Sequence, residues 1–106
     1  MMDEKRLQAL LEEAIVDCYD EEEEFSGVLV TLDENLKFPL QAQLLGDTVE
    51  VTGLSESRSS LRRGITANIK KGERAATASL ADLTFVNPDP VSAEWLAMYR
   101  YWLGEQ

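Results

Sequence analysis

Carboxylates crowd one stretch of this chain. Six of the eight residues from 17 to 24 are acidic: Asp17, Asp20, Glu21, Glu22, Glu23 and Glu24. A short apolar run, Val28 to Leu32, follows, and then a second polar group, Asp33-Glu34-Asn35. Two groups of oxygen donors on either side of a short segment suit a hard cation such as Ca²⁺, which takes about six to eight oxygens from one compact site. The candidate ligands are Asp17, Asp20, Glu21, Glu24, Asp33, Glu34 and Asn35, with Glu13 in reserve. Catalysis is poorly served. The chain has no histidine, so the commonest general base is missing. Glycoside hydrolysis needs two carboxylates across a substrate cleft, and a small domain has little room for one. The reading is of a protein that is not an enzyme.

The elements that must hold these donors follow from periodicity. Leu7, Leu11, Ala14, Ile15, Cys18 and Phe25 recur at three- and four-residue steps, which predicts a helix over 4–24. On it Glu13, Asp17, Asp20 and Glu24 share the outward face, and Cys18 sits on the apolar stripe as a small buried thiol. Phe25-Ser26-Gly27 is the predicted helix end, with Gly27 supplying a positive φ. Val28 to Leu32 is short and β-branched, so a strand is expected. Such a strand, folded back along the helix, would return about 16 Å, or about eleven helical positions. Asp33-Glu34-Asn35 would then lie near Glu13 to Asp17, while Asp20, Glu21 and Glu24 would form a separate group near Gly27.

Leu36 to Leu45 reads as a second strand, with Pro39 marking an edge or a bulge. Gly46-Asp47 is a tight turn into the alternating segment Thr48 to Thr52, which Gly53 closes. Ser55 to Ser60 reads as a loop. Ile65 to Lys70 alternates as a fourth strand, Lys71-Gly72 as a hairpin turn, and Arg74 to Leu80 as a fifth strand, weak because it is alanine-rich. Leu80 to Leu83 is a single turn. Pro90 suits the first position of a closing helix capped by Asp89 or Ser92. Val91, Trp95, Tyr99 and Trp102 form its buried stripe, and Gly104 ends it. Five short strands with a helix at each end predict an α+β fold, a small SH3-like five-stranded β-barrel with an N-terminal acidic helix and a C-terminal aromatic helix; closing the sheet hides its edges.

Composition narrows the partners. The chain of 106 residues is read as a single domain, and its 44% hydrophobic content excludes general disorder. The net charge of −10 argues against nucleic acid and anionic membranes as partners. It is uneven: residues 1–50 carry 14 acids and 3 bases, net −11, and residues 51–106 carry 6 acids and 7 bases, net +1. One cysteine precludes an intramolecular disulfide, and without histidine a zinc site is not expected. No secretory h-region or membrane-length apolar run is present. A cytoplasmic monomer is the expectation.

An EF-hand fits poorly. Glu22 to Asp33 has the right length of twelve, with Gly27 sixth and Leu29 eighth. An Asp is required at the first position and a bidentate Glu at the twelfth, yet the chain has the reverse.

The same residues carry a resemblance. Ile15-Val16-Asp17, Tyr19-Asp20-Glu21-Glu22-Glu23 and Glu34-Asn35-Leu36-Lys37-Phe38-Pro39 resemble the small acidic, non-EF-hand calcium-binding proteins described from cyanobacteria (CcbP-like). The likeness continues at Gly46-Asp47, Val49-Glu50-Val51, Gly53, Leu80-Ala81-Asp82-Leu83 and Tyr101-Trp102. It implies cytoplasmic calcium binding by a compact α+β protein, as buffer or sensor. The chain departs from the family pattern in lacking an aromatic-rich strand at Val28 to Thr31, in a shorter link before Gly46, and in carrying Arg58, Arg62 and Arg63 where the family tends to be acidic. One site is therefore safer to expect than two. The competing reading is an acidic interaction module that covers a basic protein or mimics nucleic acid, with no metal site.

Overall fold

The structure, a computed structural model, describes residues 3–105. The chain divides into a helical unit, made of the residues up to Leu36 and those from Asp89 onward, and a sheet unit from Lys37 to Pro88.

Three helices build the first unit: α1 (Glu4–Ala14), α2 (Glu21–Asn35) and α3 (Pro90–Glu105). The predicted helix over 4–24 is thus two helices, because three local features break it. Ile15 caps α1, its N–H bonding the Leu11 carbonyl; Asp17 turns left-handed at φ 63; and Asp20 starts α2 by accepting from the Glu23 N–H. The expected strand at Val28 to Leu32 is helical. Phe25, Val28, Leu29, Leu32 and Leu36 are all buried, at steps of three, one, three and four. Burial of such side chains is worth about 1.5–3 kcal/mol each, which outweighs the few tenths that β-branching costs a helix. Gly27 accordingly lies inside α2 and does not end it.

α3 matches its expectation. Asp89 Oδ2 accepts from the Ser92 N–H at 2.9 Å, and Trp95, Tyr99 and Trp102 are buried while Val91 is partly exposed. Its helix runs one residue past Gly104. All three helices touch one another. Arg6 of α1 grips Glu94 of α3 through Nε at 3.0 Å and Nη2 at 3.2 Å. The hydrogen bond from Arg6 holds the Glu94 carboxyl below its ordinary range, so this tie is present at neutral pH and is lost as pH falls through that lowered value.

The sheet unit holds five antiparallel strands in the order β4-β3-β2-β1-β5: β1 (Leu40–Leu44), β2 (Asp47–Ser60), β3 (Gly64–Lys71), β4 (Arg74–Ser79) and β5 (Thr84–Phe85). The sheet is open, with β4 and β5 outermost, so the expected SH3-like barrel is corrected to an open sheet. Two strand assignments change with it: Pro39 falls just before β1, and β5 is an added strand. β2 runs through Gly53 and the expected loop 55–60, with one register shift between Val51 and Gly53 and a second between Ser55 and Ser60 absorbing the irregularity. Side chains hold that polar part of the ladder, Ser59 Oγ bonding the Ser55 carbonyl at 2.6 Å and accepting from the Thr66 N–H at 2.8 Å. Ile65, Ala67 and Ile69 alternate inward as expected. A 3₁₀ turn, Leu80–Asp82, follows β4.

Candidate metal centre

The acidic residues gather at the turn between α1 and α2. Backbone contact shapes this turn. A Cβ at residue 27 would lie 2.5 Å from the Ala14 carbonyl oxygen and 3.2 Å from Cys18 Sγ. Only glycine lets the end of α1 and the Cys18 thiol press this closely on the α2 backbone. Cys18 is pinned further by its N–H on the Ile15 carbonyl at 3.0 Å and its thiol on the Glu23 carbonyl at 3.3 Å.

Two carboxylates have structural work. Asp20 Oδ1 accepts from the Glu23 N–H at 2.8 Å, and Glu23 Oε2 accepts from the Tyr19 N–H at 2.7 Å. This is a capping box displaced by one residue, satisfying amides that the helix start leaves open. Glu21 to Glu24 all lie in the first turn of α2, where the positive end of the helix dipole favours negative charge. Glu21, Glu22 and Glu23 are exposed, and Glu24 is half-buried. The spacing Asp20-x-x-Glu23 ahead of Phe25 and Val28 is the sequence signal that marks the second helix start.

The electrostatics show which side chains are neighbours. Burial pushes the Cys18 thiol above its ordinary pKa, and the charges of Glu23, Glu24, Asp17 and Asp20 push it further. Glu23, Glu24, Asp17 and Asp20 are thus the charges whose fields reach the Cys18 thiol. Asp17, Cys18, Tyr19, Glu22, Glu23 and Ser26 line an open depression of 470 Å³; Glu24 lines a separate groove on its other side.

Asp33, Glu34 and Asn35 form the last turn of α2. At 1.5 Å per residue Glu34 is about 21 Å along the helix from Asp20. The fold-back that would bring Asp33, Glu34 and Asn35 to Glu13 and Asp17 does not occur, because the segment between is helix. Asp33 and Glu34 are exposed, and Asn35 Nδ2 donates to the Thr31 carbonyl at 2.8 Å. Among the described residues no three acidic or cysteine side chains converge as a metal's ligands would. The donors at the α1–α2 turn are almost wholly carboxylate oxygens, the kind of ligand that a hard cation such as Ca²⁺ takes.

A family model described as calcium binding, Calci_bind_CcbP, matches residues 8–103. The chain belongs to this family. The CcbP family is a calcium-binding one rather than an enzyme class. Solved structures agree. The crystal structure of Anabaena CcbP is 29% identical over 97% of this chain and 92% of that one, with a TM-score of 0.84. A calcium-binding protein in its calcium-binding form is also 29% identical over the same shares, with a TM-score of 0.82. No curated protein matches the sequence. The CcbP likeness extends over both units, and the α+β architecture is common to them. No helix among the described residues is long and apolar enough to cross a membrane.

Proposed function

We propose that this protein binds Ca²⁺ through Asp17, Asp20, Glu21 and Glu24 at the α1–α2 turn, with Asp33, Glu34 and Asn35 as a second and separate donor group at the far end of α2. The observation that carries the reading is membership of a calcium-binding family across residues 8–103. Asp17 in the turn, Asp20 at the N-cap and Glu21 and Glu24 in the first turn of α2 lie within one eight-residue stretch, which supports the assignment to the turn. The family match spans both units, which supports treating the chain as one calcium-binding domain.

We assign it the role of a cytoplasmic buffer or sensor that acts as a monomer and without catalysis. A single thiol and no intramolecular disulfide suit a reducing compartment. A second reading rests on Val16 and Tyr19, which are 67% and 87% exposed beside Asp17 and Asp20. An apolar pair within an acidic turn fits a basic protein surface.

Isothermal titration with Ca²⁺ at low and at physiological salt tests the first reading. Saturable heat that survives salt is expected. Heat that disappears with salt would leave only a diffuse acidic patch, since screening acts beyond about 8 Å. The double variant Asp17→Asn with Glu34→Gln tests the separation of the two groups: their effects on binding free energy should add within about 0.5 kcal/mol.

A further inference from the structure

The β4 edge of the sheet unit combines two features, an open backbone ladder and a concentration of positive charge. β4 pairs with β3 and with no other strand. Alternate residues of an edge strand turn their N–H and C=O groups away from the sheet. Among the described residues no turn or loop backbone bonds those of β4, and Arg74, Ala75, Ala76 and Thr77 are exposed. Residues 58–74 carry six bases and one acid, net +5, in a chain of net −10. Lys70 and Arg74 stand at one end of the β3–β4 pair, where Lys71 opposes Arg74. Arg58, Arg62 and Arg63 stand at the other, around the turn into β3. Thr66 opposes Ser79 there, so Arg63, three residues earlier, lies up to about 10 Å beyond the end of β4. All five cations are exposed, and none has an ion-pair partner among the described residues. Lys71 is paired with Asp47 at 3.1 Å. Glu73 near the first end, and Glu56 and Asp82 near the second, leave each end net positive. The arginine turn is held in shape: the Arg63 N–H donates to Ser60 Oγ at 3.1 Å, Thr66 Oγ1 donates to the Arg58 carbonyl at 3.0 Å, and Gly64 takes φ 83.

These features select an occupant. A row that alternates donors and acceptors is matched by another extended backbone, which offers both. Phosphates only accept, so a nucleic-acid backbone would leave the β4 carbonyls unmet, and the net charge of −10 opposes a long polyanion. A second copy fits poorly. Its own β4 brings the same cations, and its acid-rich stretch 21–24 is already folded into the first turn of α2. An acidic extended segment of another protein satisfies the edge and the charge together. β3 runs for eight residues, so a segment of about the same length, about 26 Å, reaches from one cationic end to the other. The planar arginine forks there take carboxylates through paired hydrogen bonds. We propose that β4 accepts, as an added strand, an extended segment of another protein that is acidic at both ends. Its backbone bonds along β4, and its carboxylates meet Lys70 and Arg74 at one end and Arg62 and Arg63 at the other. The site does not rest on the calcium reading, whose donors all lie within residues 17–35.

The test uses the full chain in EDTA, at physiological salt, with the blocked octapeptide Asp-Glu-Val-Thr-Val-Thr-Glu-Asp as probe. Proton–nitrogen correlation spectra should show saturable shifts concentrated at residues 74–79, and the outward amides of β4 should exchange more slowly with solvent. The same peptide with its four central amides N-methylated keeps its charge but loses the donors of a strand, and should bind at least about tenfold more weakly. A version with lysine in place of every acid should not bind. The double variant Arg62→Gln with Arg63→Gln should weaken the acidic peptide about fivefold and leave the β1 signals in place. The proposal is overturned if the acidic peptide gives no saturable shift or if the lysine version binds as well. It is also overturned if the N-methylated peptide binds equally, which would mean charge without an added strand, or if the double variant binds as tightly as the parent. Duplex DNA that protects the β4 amides as the peptide does would overturn it too. Failure here would leave the calcium titration unaffected, and loss of calcium binding would leave this result standing.

Discussion

Asp17 allows charge to be removed with little disturbance of the backbone. It sits at φ 63, a region that Asn occupies as readily as Asp. Asp17→Asn should therefore keep the turn and weaken Ca²⁺ binding at least about tenfold, about 1.4 kcal/mol, measured by titration calorimetry. Glu23 makes the contrast. Glu23→Gln retains an oxygen for the Tyr19 N–H and should change affinity less than about threefold, whereas Glu23→Ala should cost about 1 kcal/mol of stability in denaturant melts through loss of the cap. Equal loss in Asp17→Asn and Glu23→Gln would point to diffuse attraction and against direct ligation. Cys18 reports on the same surroundings. Its thiol is raised first by burial and then by four carboxylates, so alkylation at pH 8 should run slower than for glutathione. Salt screens the carboxylates but not the burial. Added salt should thus speed alkylation without bringing it to the glutathione rate; full recovery would mean that charge alone holds the thiol back.

The hinge between α1 and α2 depends on Gly27. In an open helix interior Gly→Ala stabilises by about 1 kcal/mol. Here the new methyl would meet the Ala14 carbonyl at 2.5 Å, and overpacking of that kind costs about 1–3 kcal/mol. Gly27→Ala should lower stability in chemical denaturation and also weaken Ca²⁺ binding, because the turn that carries Asp17 must move. A stabilised variant would show that the approach is looser than described. This element also marks where sequence reading succeeds and where it stops. Ile65, Ala67 and Ile69 alternate inward, and Asp89 caps a helix with a buried aromatic stripe, as their patterns say. Val28 to Leu32 does not announce itself, since a short β-branched run has the same local look in a buried helix as in a strand. Only its register with Phe25 and Leu36 distinguishes them, and a helix assumed to end at Gly27 hides that register. The candidate ligands were legible by type, but their grouping was not. It depends on a break at residues 15–20 and on an unbroken helix after it, and both are set by long-range packing on Gly27 and the apolar face of α2.

On the scale of the molecule, a chain with net charge −10 has much to gain from a bound cation. Calcium selective for the folded state should raise stability by about 2.7 kcal/mol at a hundredfold excess over Kd. Thermal melts in EDTA and in excess Ca²⁺ check this, and coincident curves would count against a folded-state site. Mg²⁺ at equal concentration should stabilise less, because flexible carboxylates suit irregular coordination better than a strict octahedron. The open sheet has a different consequence. β4 pairs with β3 along one side only, and Arg74, Ala75, Ala76 and Thr77 are all exposed. Its free side is a template on which another extended chain could polymerise. Small alanines offer an approaching copy little apolar surface, and Lys70 and Arg74 add like charge at this edge, while Lys71 is paired with Asp47 at 3.1 Å. Replacing Ala75 and Ala76 by Val, and Arg74 by Thr, should leave the native sheet able to form and yet seed fibrils that bind thioflavin T on agitation. If that variant stays soluble under conditions where the parent does, the alanine-rich strand is no gatekeeper. Otherwise, the weakness that makes β4 look like a poor strand is its protection against amyloid.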